Sequence, residues 1–131
     1  MEAEDADRFA CVFGSGIGGL NMFEHESVVL HEKGAKRVSP LFIPTMISNM
    51  AAGNVSIQLG FRGKCSNVVT ACATGTNCIG DAFRTIQYSD ADMMLAGGTE
   101  GCVCPLGIAG FTALTALSAS TNPPVSYTHL R

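Results

Sequence analysis

VVTACATGTNCIGDAFRTIQYSDADMMLAGGTE, residues 68–100, carries the pattern from which the fold can be read. Residues 68–71 (VVTA) open with two apolar, β-branched residues, as in a strand buried on both faces. Cys72 stands at the junction with a helix predicted over 73–88. There Ile79, Ala82, Phe83 and Ile86 fall at i, i+3, i+4 and i+7 and make one apolar stripe. Residues 93–96 read as another buried strand, stopped by Gly97 and Gly98. Toward the N-terminus, 9–13 (FACVF) is a third such strand, and Gly14, Gly16, Gly18 and Gly19 follow it as a bare, tight turn. A helix is expected over 20–32, ending near Gly34. A loop punctuated by Pro40 and Pro44 leads to a second helix over 45–59, started by Pro44 and capped by Gly60. Toward the C-terminus, 105–117 is small and apolar and reads as a short helix against the core. Strand, helix, helix, strand, helix, strand is an α/β layer pattern. Three buried strands need cover on both faces, and so few helices leave part of that cover to partners or further chain.

The composition supports this reading. Of 131 residues, 47% are hydrophobic and only 15% charged, which excludes a disordered chain. A mean hydropathy of +0.26 is high for a small domain with much surface to cover. The net charge of −3 gives no electrostatic footprint for nucleic acid. No apolar run is long enough for a membrane helix, and the acidic start MEAEDADR lacks a signal-peptide layout. The six cysteines make no C-x-x-C pair, and no histidine sits at finger spacing, so neither a disulfide framework nor a metal is expected. Most read as reduced, buried small hydrophobes in a reducing compartment.

The sharpest chemistry lies in Thr70-Ala71-Cys72-Ala73-Thr74-Gly75. Small neighbours permit a sharp turn and leave room for a substrate. The helix N-terminus offers free N–H groups and a positive dipole end, which favour thiolate, the nucleophilic form. The same N–H groups suit a developing oxyanion. The competing view of Cys72 is a structural cysteine near a turn.

The wider string resembles the nucleophile region of the elongating β-ketoacyl-acyl-carrier-protein synthases, most of all the synthase II branch of type II fatty-acid synthesis. GSGIGGL (14–20), RVSPLFIPTMISNMAAGNVSIQLGFRG (37–63) and PLGIAGFTALTALS (105–118) resemble the same family, and the likeness runs from about residue 8 to 122. It implies a thiolase-like, layered α-β-α-β-α fold, of which residues 1–122 supply most of the first half. It implies that Cys72 takes an acyl chain from acyl carrier protein as a thioester. Malonyl-carrier protein then loses carbon dioxide, and its carbanion attacks that thioester. The resemblance also places Ile17, Ala71, Cys102, Gly107 and Phe111 along the acyl pocket. Phe42 would reach into the pocket of the other subunit of a homodimer. Lys36 and Arg37 match a basic pair on the face that receives the carrier protein, while Thr115 stands where relatives often carry Arg. No cofactor is implied, and a bacterial cytoplasm is the expected location.

The family's two catalytic histidines and its lysine belong to a second half. His25 and His31 sit beside Glu24, Glu26 and Glu32 and read as surface, and His129 lies in the tail. The tail 123–131, PPVSYTHLR, departs from the family pattern. The expectation is a fragment without condensing activity of its own. A polyketide-type ketosynthase fragment is the runner-up, although modular polyketide synthases usually read DTACSSS at the nucleophile. Gly14, Gly16 and Gly19 also satisfy a G-x-G-x-x-G dinucleotide fingerprint, but 33–45 holds no acidic residue for the ribose. A non-catalytic partner subunit would lack the cysteine.

Overall fold

β1, Phe9–Gly14, is the middle strand of a three-stranded parallel sheet, and its side chains explain the layering around it. The structure is a computed structural model describing residues 5–118. In chain order the further elements are α1 (Leu20–Lys33), α2 (Phe42–Met46), α3 (Met50–Leu59), β2 (Cys65–Ser66), α4 (Thr74–Gln87), β3 (Met93–Gly98) and α5 (Pro105–Ala113). Three 3-10 turns, Asp5–Arg8, Ala35–Arg37 and Ala71–Ala73, link them. The strand order is β2-β1-β3. β1 matches β3 along its whole length, from Phe9 beside Met93 to Gly14 beside Gly98.

Alternate β1 residues face opposite sides of the sheet. Val12 packs with Cys78 and Ala82 of α4, and Val68, Met94 and Ala96 close around them. Cys11 points the other way, its Sγ donating to the Ala52 carbonyl of α3 at 3.4 Å. Helix α4 therefore covers one face and α3 the other, giving helix–sheet–helix layers. Only β1 is buried throughout most of its length; β3 alternates between exposed and half-buried. The cover expected over all three strands is incomplete among the described residues.

Two predicted elements differ from the sequence reading. The strand expected over 68–71 is displaced to Cys65–Ser66, paired with Cys11 and Val12. Asn67 ends it: its Nδ2 donates to the Phe13 carbonyl at 2.8 Å and to the Ser48 carbonyl at 3.1 Å, so a side chain takes over from the ladder. The apolar character of Val68 comes from packing against α4. The helix expected over 45–59 is broken into α2 and α3 by an extended Ile47 (φ −67°, ψ 138°). The break turns the Met46 carbonyl toward the glycine turn, where it accepts the Gly19 N–H at 2.8 Å. Gly18, at φ +89°, has room only for hydrogen there, since a Cβ would lie 2.5 Å from the same carbonyl. Pro44 sits inside α2, in the first turn, where its missing N–H costs no helical bond.

The α4 stripe also changes. Of Ile79, Ala82, Phe83 and Ile86, only Ala82 is buried, and Ile79 and Phe83 are each 62% exposed. The face on the sheet is Thr74, Cys78, Ala82 and Thr85, a smaller set at helical spacing. Small residues are needed because α4 crosses close over Gly14, where a Cβ would collide with the Thr74 methyl and the Val68 carbonyl. Glu26 is buried too, and its carboxylate accepts the Ser39 N–H at 2.9 Å. Residues 123–131, His129 among them, lie outside the described residues. Among the described residues, no helix is long and apolar enough to cross a membrane.

Candidate active site

Parallel strands bring all their carboxyl ends to one edge, and ligand sites in such sheets lie outside that edge. Here the edge opens into a cavity of about 590 Å³. Cys72 lines it with Gly14, Gly16 and Ile17 from the turn after β1, Gly98, Thr99 and Glu100 from the end of β3, and Cys102 and Phe111 from the chain beyond.

Local geometry makes Cys72 prominent. Thr70 lies between the helical and extended regions (φ −137°, ψ 42°), and Ala71 is left-handed at φ 52°, an uncommon conformation for a residue with a Cβ. The 3-10 turn Ala71–Ala73 then leads directly into α4, leaving Cys72 exposed at the helix start. Thr74 braces the turn: it is buried, and its Oγ1 accepts the Thr70 N–H at 2.9 Å. Two of the N–H groups expected to face an oxyanion are already used. Ala73 N–H is bonded to the Thr70 carbonyl at 3.1 Å, and Thr74 N–H to that of Ala71.

Four of the six pocket residues expected from the resemblance line this cavity with Cys72: Ile17, Ala71, Cys102 and Phe111. Gly107 does not. It is buried in α5, where a Cβ would run into the Cys102 carbonyl, so it permits close packing behind the cavity wall. Phe42 opens α2, half-buried, with its ring centroid 6.4 Å from that of Phe23. Lys36 and Arg37 are exposed on the 3-10 turn after α1 and form no ion pair among the described residues.

Two contributors escaped the sequence reading. Thr74 was hidden by its ordinary type, although a hydroxyl just after a turn is a known brace. Glu100 follows the strand-ending glycines, and an acid at that place in an apolar neighbourhood is a signal that could have been read. Its Oε1 accepts from Ser15 Oγ at 3.0 Å and Gly101 N at 3.1 Å, and its Oε2 accepts from Ile17 N at 2.9 Å.

The six cysteines differ in setting. None is in a disulfide; Cys11, Cys78 and Cys104 are buried, Cys102 is half-buried, and Cys65 and Cys72 are exposed, so burial holds for half of them. Burial pushes the Cys11 thiol up to about 11, with the neighbouring Cys65 thiol 3.8 Å away adding to the shift. Burial also raises Cys78. The fingerprint glycines are accounted for by contacts within the fold, with α4 at Gly14 and with the Glu100 carboxylate 3.2 Å from where a Gly16 Cβ would stand.

The family profile of the beta-ketoacyl synthase N-terminal domain matches residues 1–128. The chain is 52% identical over 117 residues to 3-oxoacyl-[acyl-carrier-protein] synthase 2 of Staphylococcus aureus, covering 89% of this chain and 29% of that protein. It is 50% identical over 124 residues to the protein of the same name from Vibrio cholerae, covering 95% of this chain and 30% of that one. It thus spans under a third of the length of these relatives. Among solved structures, it matches a beta-ketoacyl synthase from Burkholderia phymatum at a TM-score of 0.78 and 26% identity, over 99% of this chain and 31% of that one. A chain from the structure of a type II polyketide acyl-carrier protein in complex with its ketosynthase, bound to the hexaketide, matches at a TM-score of 0.82 and 29% identity, over 94% of this chain and 32% of that one. The fold is the thiolase-like α/β fold of the ketosynthases. With a cysteine at the head of α4 over a cavity at the sheet's carboxyl edge, and a profile covering nearly every residue, the chain belongs to the β-ketoacyl synthase family.

Proposed function

We propose that this chain is the nucleophile-bearing part of a 3-oxoacyl-[acyl-carrier-protein] synthase II that elongates acyl chains in fatty-acid synthesis. The observation that carries the reading is Cys72, exposed in the wall of the cavity at the N-terminal end of α4. The Cys72 thiolate attacks the carbonyl of an acyl-carrier-protein thioester. The oxyanion that forms is met by a backbone N–H, and we assign this role to that of Cys72, because those of Ala73 and Thr74 are engaged. The carrier thiolate leaves and takes a proton, and the acyl group stays on Sγ. Malonyl-carrier protein then releases carbon dioxide, and the resulting carbanion attacks the Cys72 thioester. A 3-oxoacyl chain two carbons longer departs on the carrier, and the Cys72 thiolate returns.

Ile17, Ala71, Cys102 and Phe111 form the wall along which the acyl chain lies, with Gly107 behind it. Phe42 serves a homodimer's second pocket, and Lys36 and Arg37 meet the acidic carrier protein. Residues 1–122 form part of the N-terminal half of a thiolase-like condensing domain. The second half supplies the two histidines and the lysine that stabilise the carbanion, and it covers Ile79 and Phe83 of α4. A bacterial cytoplasm suits the reduced cysteines. A polyketide-type elongating synthase is the second reading, favoured by the structural match to a polyketide ketosynthase complex, but 29% identity there stands against 52% to a 3-oxoacyl-[acyl-carrier-protein] synthase 2.

Incubating the complete gene product with an acyl-carrier protein loaded with a saturated chain tests the proposal. Peptide mass spectrometry should find the acyl mass on Cys72 and lose it in Cys72→Ala. An acyl group on another cysteine, or on none, would falsify the reading.

A further inference from the structure

The turn between β1 and α1 has few means of holding its own shape. Residues 16, 18 and 19 are glycines, and Ile17 is 48% exposed, so side-chain packing fastens it weakly. Its two ends are tied by backbone: the Gly14 carbonyl accepts the Thr99 N–H at 2.9 Å, and the Gly19 N–H reaches the Met46 carbonyl at 2.8 Å. Between those ties, the bonds lead to one carboxylate. Ser15, only 5% exposed, donates its hydroxyl to Glu100 and accepts the Gly18 N–H on the same oxygen at 3.0 Å. Ile17 N–H donates to the other carboxylate oxygen. Two donors of the turn, with the N–H of the adjacent Gly101, converge on Glu100, and a carboxylate is the side chain that accepts from all of them and donates to none. Glu100 lies more than 80 residues away in sequence, and it lines both the cavity at Cys72 and a second one of about 330 Å³ on the other side of the turn.

We propose that Glu100 is a positioning residue. By fastening Ser15 and Ile17 it sets where the Ile17 side chain stands in the cavity wall, and so selects which acyl chain lengths Cys72 accepts. The proposal rests on the acyl-transfer reading of Cys72. Glu100 touches no reacting atom in this scheme; it acts through Ile17.

The test uses the complete gene product and four variants: Glu100→Ala, Glu100→Gln, Ser15→Ala and Ile17→Ala. Glu100→Gln keeps size but turns an acceptor into a donor, and Ser15→Ala removes one bond in case the Glu100 variants fail to fold. Two readouts are taken. Amide hydrogen exchange at Ile17 should become about tenfold faster in Glu100→Ala, as expected for loss of a bond to a charged acceptor. Acylation of Cys72 by butanoyl and dodecanoyl thioesters of N-acetylcysteamine should change in ratio by about tenfold, in the same direction as in Ile17→Ala. Unchanged exchange at Ile17 overturns the proposal. So does a fall in both acylation rates by one common factor, which a merely structural role would produce. If the unsubstituted protein accepts neither thioester, the acyl-transfer reading fails, and the exchange at Ile17 still decides whether Glu100 holds the turn.

Discussion

The two ends of the sheet are built from opposite materials. At the amino end, long side chains reach across the surface. Arg8, just before β1, pairs with Asp92, just before β3, at 2.6 Å, and Arg62 pairs with Asp7 at 2.5 Å. The Phe9 and Phe61 rings meet edge to face at 5.9 Å. At the carboxyl end the residues are small, the backbone turns left-handed at Gly18 and Ala71, and a cavity opens. Contacts between long, exposed side chains can be rearranged at little cost. Clearance between two backbones cannot. Substitutions of the small residues at the carboxyl end should therefore disturb both stability and chemistry, and those of the long, exposed side chains at the amino end neither by much.

The strongest challenge to that contrast is Gly14→Ala. The added methyl meets a backbone carbonyl as well as the Thr74 methyl, so the strand and α4 must separate. The expected loss is about 3 kcal/mol, read from urea unfolding of the complete protein. Alkylation of Cys72 by iodoacetamide should change in rate as well. A variant of ordinary stability would mean that the close approach at this end is dispensable.

An intermediate effect is expected from the middle of β1. Burial raises the Cys11 thiol from 9.0 to about 11, so folding favours its neutral form. The stabilisation is complete below pH 9 and drains away as pH climbs to about 11. Thermal midpoints should fall over that window, and Cys11→Ala should flatten the fall. An identical alkaline loss in that variant would assign it to other groups, with Cys78 next in line because burial raises it too.

The smallest effect belongs to the amino end. Arg8 and Asp92 are well exposed, at 42% and 61%, and such pairs are screened by water and salt. Asp92→Ala should lower the unfolding midpoint slightly, and less still in high salt. A loss rivalling that of Gly14→Ala would erase the difference between the two ends.

How far the sequence could be read depended on the range of each interaction. β1, α1, α4, β3 and the start of α5 follow from local signals: apolar runs, glycine stops, helical spacing and Pro105 at a first turn. Cys72 was legible because its small neighbours and the following helix are contiguous. The strand placed at 68–71 failed because an apolar run reports burial and not its partner; the Asn67 amide, bonded to residues 54 and 19 positions away, ends the pairing earlier. The single helix at 45–59 failed because nothing local breaks it. The glycine turn, distant in sequence, draws the Met46 carbonyl out.

By itself, then, the sequence determined the α/β pattern and the family and singled out Cys72 as the candidate site, because each rests on residues close together in the chain or on long ordered motifs. Tertiary structure decided which cysteines are buried, which face of α4 meets the sheet, and which residues share a cavity with Cys72. It also decided that Glu100 bonds to Ser15 and Ile17 in the turn after β1. Those are contacts between segments far apart in sequence, and no local pattern records which distant acceptor a free N–H will find.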